Sequence, residues 1–284
     1  MSNSNSPRTW LITGASSGIG LALARAAAQR GDNVTAIARN TDALASLAGE
    51  FAGRVRAEAV DVTDASALER AVAATVAAFG RIDVVVNSAG FGVSGAVEEA
   101  SADQVRAIFD TNVLGVLNVL RAALPTLREQ RSGHVVQLSS FLGLTSGPGS
   151  GLISATKYAV EGLSEALAAE LEPLGIDVTV VEPGLTATSF FSNLHVAEAI
   201  EDYAQTVGAA REAIGALPPA AFNTPDRVAG AILDAVDADN PPRRLPTGSF
   251  ALGQMRDALH ARLEELDAVA SFSVAVDAPE GAPV

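Results

Sequence analysis

The stretch Thr13-Gly14-Ala15-Ser16-Ser17-Gly18-Ile19-Gly20 constrains this chain more than any other. It follows an apolar run, Trp10-Leu11-Ile12, and precedes an alanine-rich segment of strong helix formers at 21–29. That order reads as strand, tight turn, helix. Gly14 can take a positive φ in the turn, Gly18 lets the backbone approach a phosphate with no Cβ between, and Gly20 seats the helix close on the strand. Ser16, Ser17 and Ile19 complete the loop. The helix N-terminus carries unpaired N–H groups and about half a positive charge, which together hold an anion. A dinucleotide pyrophosphate is the expected guest. An ordinary glycine turn has the same composition, so the fingerprint depends on its context.

The context is an alternation of strand and helix patterns, which points to an α/β fold: one Rossmann-type, doubly wound parallel sheet between two helical layers. Further strands are expected at 34–38, 55–60, 83–86, 135–138 and 178–181, with a short last one at 244–246. Helices are expected at 64–79, closed by Gly80, at 153–174, at 225–238 and at 251–270. Ser101 and Gln104 form a capping box that opens a long helix to about Arg131, bent at Pro125. Pro183-Gly184 is expected to stop the strand at 178–181. All 284 residues read as one domain, with a loose tail from about Ser271. The less regular stretch 185–223, with Phe190, Phe191, His195, Tyr203, Pro218 and Phe222, falls after a late strand. That is the carboxyl edge of such a sheet, where an insertion covers a ligand or packs on the body.

Composition narrows the chemistry. With 48% hydrophobic residues the chain can bury a full core. A formal net charge of -14 argues against non-specific nucleic-acid binding. The absence of cysteine excludes disulfides, thiolate catalysis and cysteine–zinc sites, no metal site is expected, and a reducing cytoplasm suits the chain. Residues 1–8 lack an apolar signal core, and no stretch reaches about 18 uncharged apolar residues, so no membrane association is expected.

Several motifs in order give a resemblance. Thr13 to Gly20 matches the TGxxxGxG pattern of the short-chain dehydrogenase/reductase family, and Asn87-Ser88-Ala89-Gly90 resembles its NNAG stretch with serine for the second asparagine. Asn112 resembles the family's active-site asparagine, Ser139-Ser140 its catalytic-serine segment, and Ser154-Ala155-Thr156-Lys157 the segment of its catalytic lysine. Pro183-Gly184 resembles the turn beside the nicotinamide. The resemblance covers about 8–246. It implies an oxidoreductase with a nicotinamide cofactor held by the glycine loop, Asn87, Ala89, Gly90, Lys157, Pro183, Gly184, Thr186 and Thr188. It also implies a homodimer or homotetramer formed through the helices of Asn112 and Lys157.

Cofactor choice is read at the end of the strand at 34–38. An acid there favours NAD; this chain has Ala38 and Arg39, whose guanidinium can pair with a 2′-phosphate, so NADP(H) is expected. Asp61 and Val62 are expected to border the adenine, although Asp61 also suits a helix cap.

The main departure lies before the lysine. In the family a tyrosine stands four residues earlier; here that position is Ile153, and thirteen residues before it is Ser140, where the family's serine belongs. Four residues turn a helix about 400°, so 153 and 157 share a face. The family's tyrosine gives a proton as hydride arrives; its lysine lowers the tyrosine pKa and holds the ribose; its serine steadies the substrate oxygen; its asparagine holds a water. Ile153 has no proton to give. Tyr158 lies about 100° round the helix and is expected to pack on a neighbour. Candidate substitutes are Tyr203 or His195 from the insertion, or Lys157 itself if burial lowers its pKa.

Three readings stay open: hydride transfer without the tyrosine, a non-redox enzyme using the pocket as scaffold, and an NADP(H)-sensing module. A laboratory replacement of tyrosine would leave the same sequence. Leu142, Leu144, Ile153, Leu185, Phe190 and Phe191 suggest a small hydrophobic substrate.

Overall fold

The computed structural model describes residues 7–277. Residues 1–6 and 278–284, which include most of the polar N-terminus and half of the expected tail, lie outside that range.

The chain alternates β1 (Thr9–Thr13), α1 (Gly18–Gln29), β2 (Asn33–Ala38), α2 (Thr41–Glu50), β3 (Val55–Ala59), α3 (Ala65–Phe79) and β4 (Val84–Asn87). There follow β5 (Val93–Ser94), α4 (Ala102–Phe109), α5 (Gly115–Gln130), β6 (Gly133–Leu138), α6 (Gly151–Leu171) and β7 (Ile176–Pro183). The last third holds β8 (His195–Val196), α7 (Ala209–Gly215), α8 (Pro225–Asp237), β9 (Arg244–Thr247) and α9 (Ser249–Val274). Seven strands form one parallel sheet in the order β3-β2-β1-β4-β6-β7-β9. The chain winds outward from β1 in one direction, then returns to start the other half at β4. The reversal between β1 and β4 opens a crevice at the carboxyl ends of the strands, the usual ligand position in such sheets.

The centre of the sheet is apolar on both faces because helices cover both. Trp10, Ile12, Val34, Val84, Val86 and Val136 meet Leu23, Ala24 and Ala27 of α1, Leu44 and Leu47 of α2, and Val228 and Ile232 of α8. On the other face Leu11, Val85, Val135 and Val178 meet Leu68 and Val72 of α3, Val119, Leu120 and Leu127 of α5, and Val160 and Leu167 of α6. An 18-residue window within Ala102–Gln130 has the mean hydropathy, 1.4, of a membrane span, but Val116, Val119, Leu120, Ala123 and Leu127 of that segment are core residues of this sheet.

Most expected elements are present, and the differences have local causes. The Ser101–Gln104 capping box is formed. The long helix it opens is interrupted at Asp110–Leu114 by a π-turn, fifteen residues ahead of Pro125, which sits inside α5. The helix α2 went unread because only Asn40, whose Oδ1 accepts from the amides of Asp42 and Ala43, marks its start. β3 stops at Ala59, one residue short. Pro183 ends β7 from within the strand, paired in register with Thr247. Ser271–Val274, expected in the loose tail, continue α9.

The segment 185–223 begins and ends at one place: Asn223 donates from its amide to Leu185 O, and Ala187 to Asn223 O, both at 2.8 Å. It is tied down again further along, where β8 pairs with β5. Glu99 accepts from the Ile200 amide at 2.8 Å and from the Ala96 amide at 2.7 Å, and Tyr203 donates its hydroxyl to Glu98 at 2.5 Å.

Candidate active site and cofactor cleft

Each polar group of the site is set by the element that carries it. The turn after β1 is closed by Thr13, whose hydroxyl donates to Val86 O and accepts from the amides of Ser88 and Ala89. This pins the end of β1 to the end of β4. Gly14 (φ +67) lies so close to that junction that a Cβ would come within 2.7 Å of Ser88 O. A Cβ on Gly20 would lie 2.4 Å from Gly14 O, so helix and turn touch through glycine alone.

The α1 N-terminus has the form of an anion cradle. Ser17 is its N-cap without a side-chain cap bond, no acid stands in the first turn, and the ladder begins with Leu21 N to Ser17 O. The amides of Gly18, Ile19 and Gly20 thus precede the ladder. At Gly18 (φ +54) a Cβ would project toward Thr188, 3.2 Å from its methyl group. The groove is therefore shaped for close backbone approach, and a dinucleotide diphosphate fits it.

The cleft above this turn measures about 1330 Å³. It is lined by Gly14, Ser16, Ser17, Gly18, Ile19, Arg39, Asp61, Val62, Ala89, Gly90, Asn112, Ser140, Ile153, Lys157, Pro183, Gly184, Thr186 and Thr188. Asn87 and Gly20 are not on its wall: Gly20 is packed behind the turn, and Asn87 is buried at the end of β4, with neither amide atom partnered by protein. Arg39 is 78% exposed at the rim, its guanidinium 3.8 Å from Asp61. Asp61 also accepts from the amide and hydroxyl of Thr63.

Lys157 and Ile153 lie one turn apart on α6. The ammonium donates to Leu138 O at 2.7 Å, and burial, partly offset by the Glu161 charge, brings its pKa down to about 8. Ile153 is buried with Val93 and Ile108, beside Phe91, Leu142, Phe190 and Leu194. Gly92 is enclosed by the same wall: a Cβ there would meet Leu194 at 2.4 Å, Phe190 at 2.8 Å and Ile153 at 2.9 Å. Ser140 caps the short helical turn after β6, accepting from the Leu142 amide at 3.2 Å and donating to Pro183 O at 3.5 Å. Asn112 sits in the π-turn with its side chain fully engaged. Its Nδ2 donates to Phe91 O and Thr156 Oγ1, and its Oδ1 accepts from the Phe91 amide. Its side chain thus fastens the loop after β4 to α6.

The remaining candidates fall into two groups. Leu142, Leu185, Phe190, Phe191 and His195 line the cleft. Leu144 faces a second cavity, because the turn at Phe141–Gly143 points it away. Tyr158 packs under Arg262 of α9, the guanidinium 5.4 Å from its ring, and Tyr203 is spent on Glu98. His195 stacks on Phe91 at 4.8 Å. Sequence reading passed over Glu161, four residues after Lys157, and its partners Glu182 and Arg244. The i, i+4 spacing of 157 and 161 was the available signal.

Comparison with known proteins agrees with this architecture. Residues 8–199 match the short chain dehydrogenase family. The oxidoreductase BOA17 of Botryotinia fuckeliana is 39% identical over 263 residues, 91% of this chain and 96% of that protein. A 3-ketodihydrosphingosine reductase of Bacteroides thetaiotaomicron is 37% identical over 85% of this chain and 88% of its own length. Among solved structures, a short-chain dehydrogenase from Streptomyces avermitilis superposes with TM-score 0.90 at 39% identity, covering 97% of this chain and 100% of that one. An alcohol dehydrogenase from Thermococcus sibiricus, complexed with 5-hydroxy-NADP, does so with TM-score 0.71 at 26% identity, over 85% and 96% of the chains. With a family model matching its residues 8–199 and relatives of 39% and 37% identity over most of its length, this chain belongs to the short-chain dehydrogenase/reductase family.

Proposed function

We propose that the protein is an NADP(H)-dependent oxidoreductase that moves hydride between the nicotinamide and a hydrophobic carbonyl, alcohol or imine, without a phenolic acid where its family carries one. The observation that carries this reading is the meeting of Lys157, Ser140 and an uncapped α1 N-terminus in one cleft. Relatives that are oxidoreductases, among them a reductase of a keto compound, and a structural neighbour that holds an NADP analogue support it.

A bound nicotinamide dinucleotide supplies or accepts the hydride. The α1 amides would receive its diphosphate. Arg39, with Asp61 beyond hydrogen-bond range, would pair with a 2′-phosphate. Lys157 has three N–H groups; Leu138 O takes one, leaving two for hydroxyls and oxygens in the cleft. The Ser140 hydroxyl gains little from Pro183 O at 3.5 Å and can turn to a substrate oxygen. Ile153, standing where the family tyrosine belongs, keeps water from that side and donates nothing. Losing a general acid costs a factor of about 10²–10⁴, so plain ketones are slow substrates and polarised carbonyls or iminium ions are favoured.

The test is a fluorescence titration with NADPH and NADH. Wild type is expected to bind NADPH more tightly, and Arg39→Ala to weaken NADPH about 10- to 100-fold, since a charge-assisted bond contributes about 1.5–3 kcal/mol, with NADH unchanged. Equal affinity for both in wild type would contradict the cofactor assignment.

A further inference from the structure

Beneath the cleft, between the sheet and α6, lies a polar layer that the fold does not require. Register places Asn87, Gln137 and Arg244 in one row of the sheet, and Ser139, Glu182 and Pro246 in the next. The strand alternation points both rows to the face that α6 covers. Glu161 of α6 is 7% exposed and Glu182 of β7 fully buried, and one Arg244 nitrogen donates to both, at 2.5 and 2.8 Å. The second oxygen of each carboxyl, the Ser139 hydroxyl and both amide atoms of Asn87 and Gln137 have no partner among the described residues. Gly143 makes room for this: a Cβ there would come within 2.7 Å of Ser139 Oγ and 2.8 Å of Glu161. On its far side the layer opens into the second cavity, about 280 Å³, walled by Glu182, Arg244, Arg256 and apolar residues.

The charges do not balance within the trio. Two buried carboxyls face one guanidinium, and a lone buried charge is costly. The remaining charge is met either by a proton on the pair or by the Lys157 ammonium, one turn from Glu161. We infer that Glu161 and Glu182, joined by Arg244, form a proton-sharing pair whose residual negative charge holds Lys157 in its charged state. The inference rests on the reading of Lys157 as the working cation of the cleft. Glu161 and Glu182 are thus positioning residues acting through Lys157. The charged groups around Lys157 and the pair are Glu161 from α6, Glu182 from β7, Arg244 from β9 and Arg256 from α9. Burial and Glu161 raise Glu182 to about 7, and burial lowers Lys157 to about 8, so both titrate within the range of one pH series.

Lys157 is the sole lysine of the 284 residues. Lysine labelled with ¹³C at Cε therefore gives a single NMR resonance whose pH titration reads this group directly in the full chain. Glu161→Gln is expected to lower the midpoint by about one pH unit or more, as loss of a neighbouring opposite charge does. Glu182→Gln is expected to shift it too and to turn a two-step curve into one step. Glu165→Gln, exposed on the same helix, is the control and should leave it in place. An unmoved midpoint in folded Glu161→Gln overturns the inference; if that variant does not fold, an unmoved midpoint in Glu182→Gln does so. The titration needs no cofactor. An unmoved midpoint beside intact NADPH binding removes the pair alone, whereas failed NADPH binding counts against the proposed function.

Discussion

Single residues decide the cleft's shape. Gly14 combines a positive φ with backbone on the far side of its missing Cβ, so nothing flexible can yield. Gly14→Ala is expected to cost about 1–3 kcal/mol from backbone strain, with the clash adding to it, read as a lower urea midpoint. Asn112 stands out in the sequence and lines the cleft, but its bonding is not written there: its three hydrogen bonds depend on where Phe91 and Thr156 arrive, which no local pattern encodes. Asn112→Ala leaves the buried Phe91 groups and the Thr156 hydroxyl short of partners and is expected to destabilise the fold by about 1–3 kcal/mol, measured by chemical denaturation. Beyond the i, i+4 spacing of Lys157 and Glu161, the Glu161–Glu182–Arg244 cluster was unreadable for the same reason, since its members are brought together from α6, β7 and β9.

At the scale of elements, the strands and core helices were readable because their apolar periods are strong and their caps conventional. Asp64, Ser101 and Gly80 mark ends where the structure has them. The π-turn at Asp110–Leu114 was not readable: an extra residue in a helical turn leaves no signature in composition, whereas Pro125 drew attention for a kink expected on general grounds. Two-residue strands such as β5 and β8 are below the length at which alternation can be seen. Their pairing, with the Glu99 bonds, fastens the segment 185–223 over the cleft. Glu99 accepts backbone N–H groups of Ile200 and Ala96, which hold its carboxyl below the ordinary range. Glu99→Ala is expected to speed limited proteolysis within 186–222 while leaving the global melting transition nearly in place. Cleavage no faster than in wild type would show that other contacts hold the segment.

The molecule as a whole carries two opposed titrations away from the cleft surface. His134 is buried between β4 and β7, and burial, then Arg8, lowers its pKa from 6.5 to about 4. Thr179 spends its proton on Pro242 O, so it accepts from His134 Nε2, consistent with a neutral ring. Between pH 4 and 6.5 the unfolded chain binds the extra proton, and stability falls as pH falls through that window. Glu182, raised from 4.5 to about 7, acts the other way: the native state keeps the proton, and stability falls as pH rises through that interval. His134→Gln is expected to flatten the acid limb of a Tm–pH curve, and Glu182→Gln to remove the decline toward neutrality.

The central claim is a reductase cleft complete except for its acid at position 153. The most direct measurement is NADPH consumption by Ile153→Tyr against wild type, over a panel of apolar ketones. The account predicts a rise of about 10²–10⁴ in turnover with NADPH affinity little changed. A variant that binds NADPH, folds as wild type and reduces no ketone faster would contradict it.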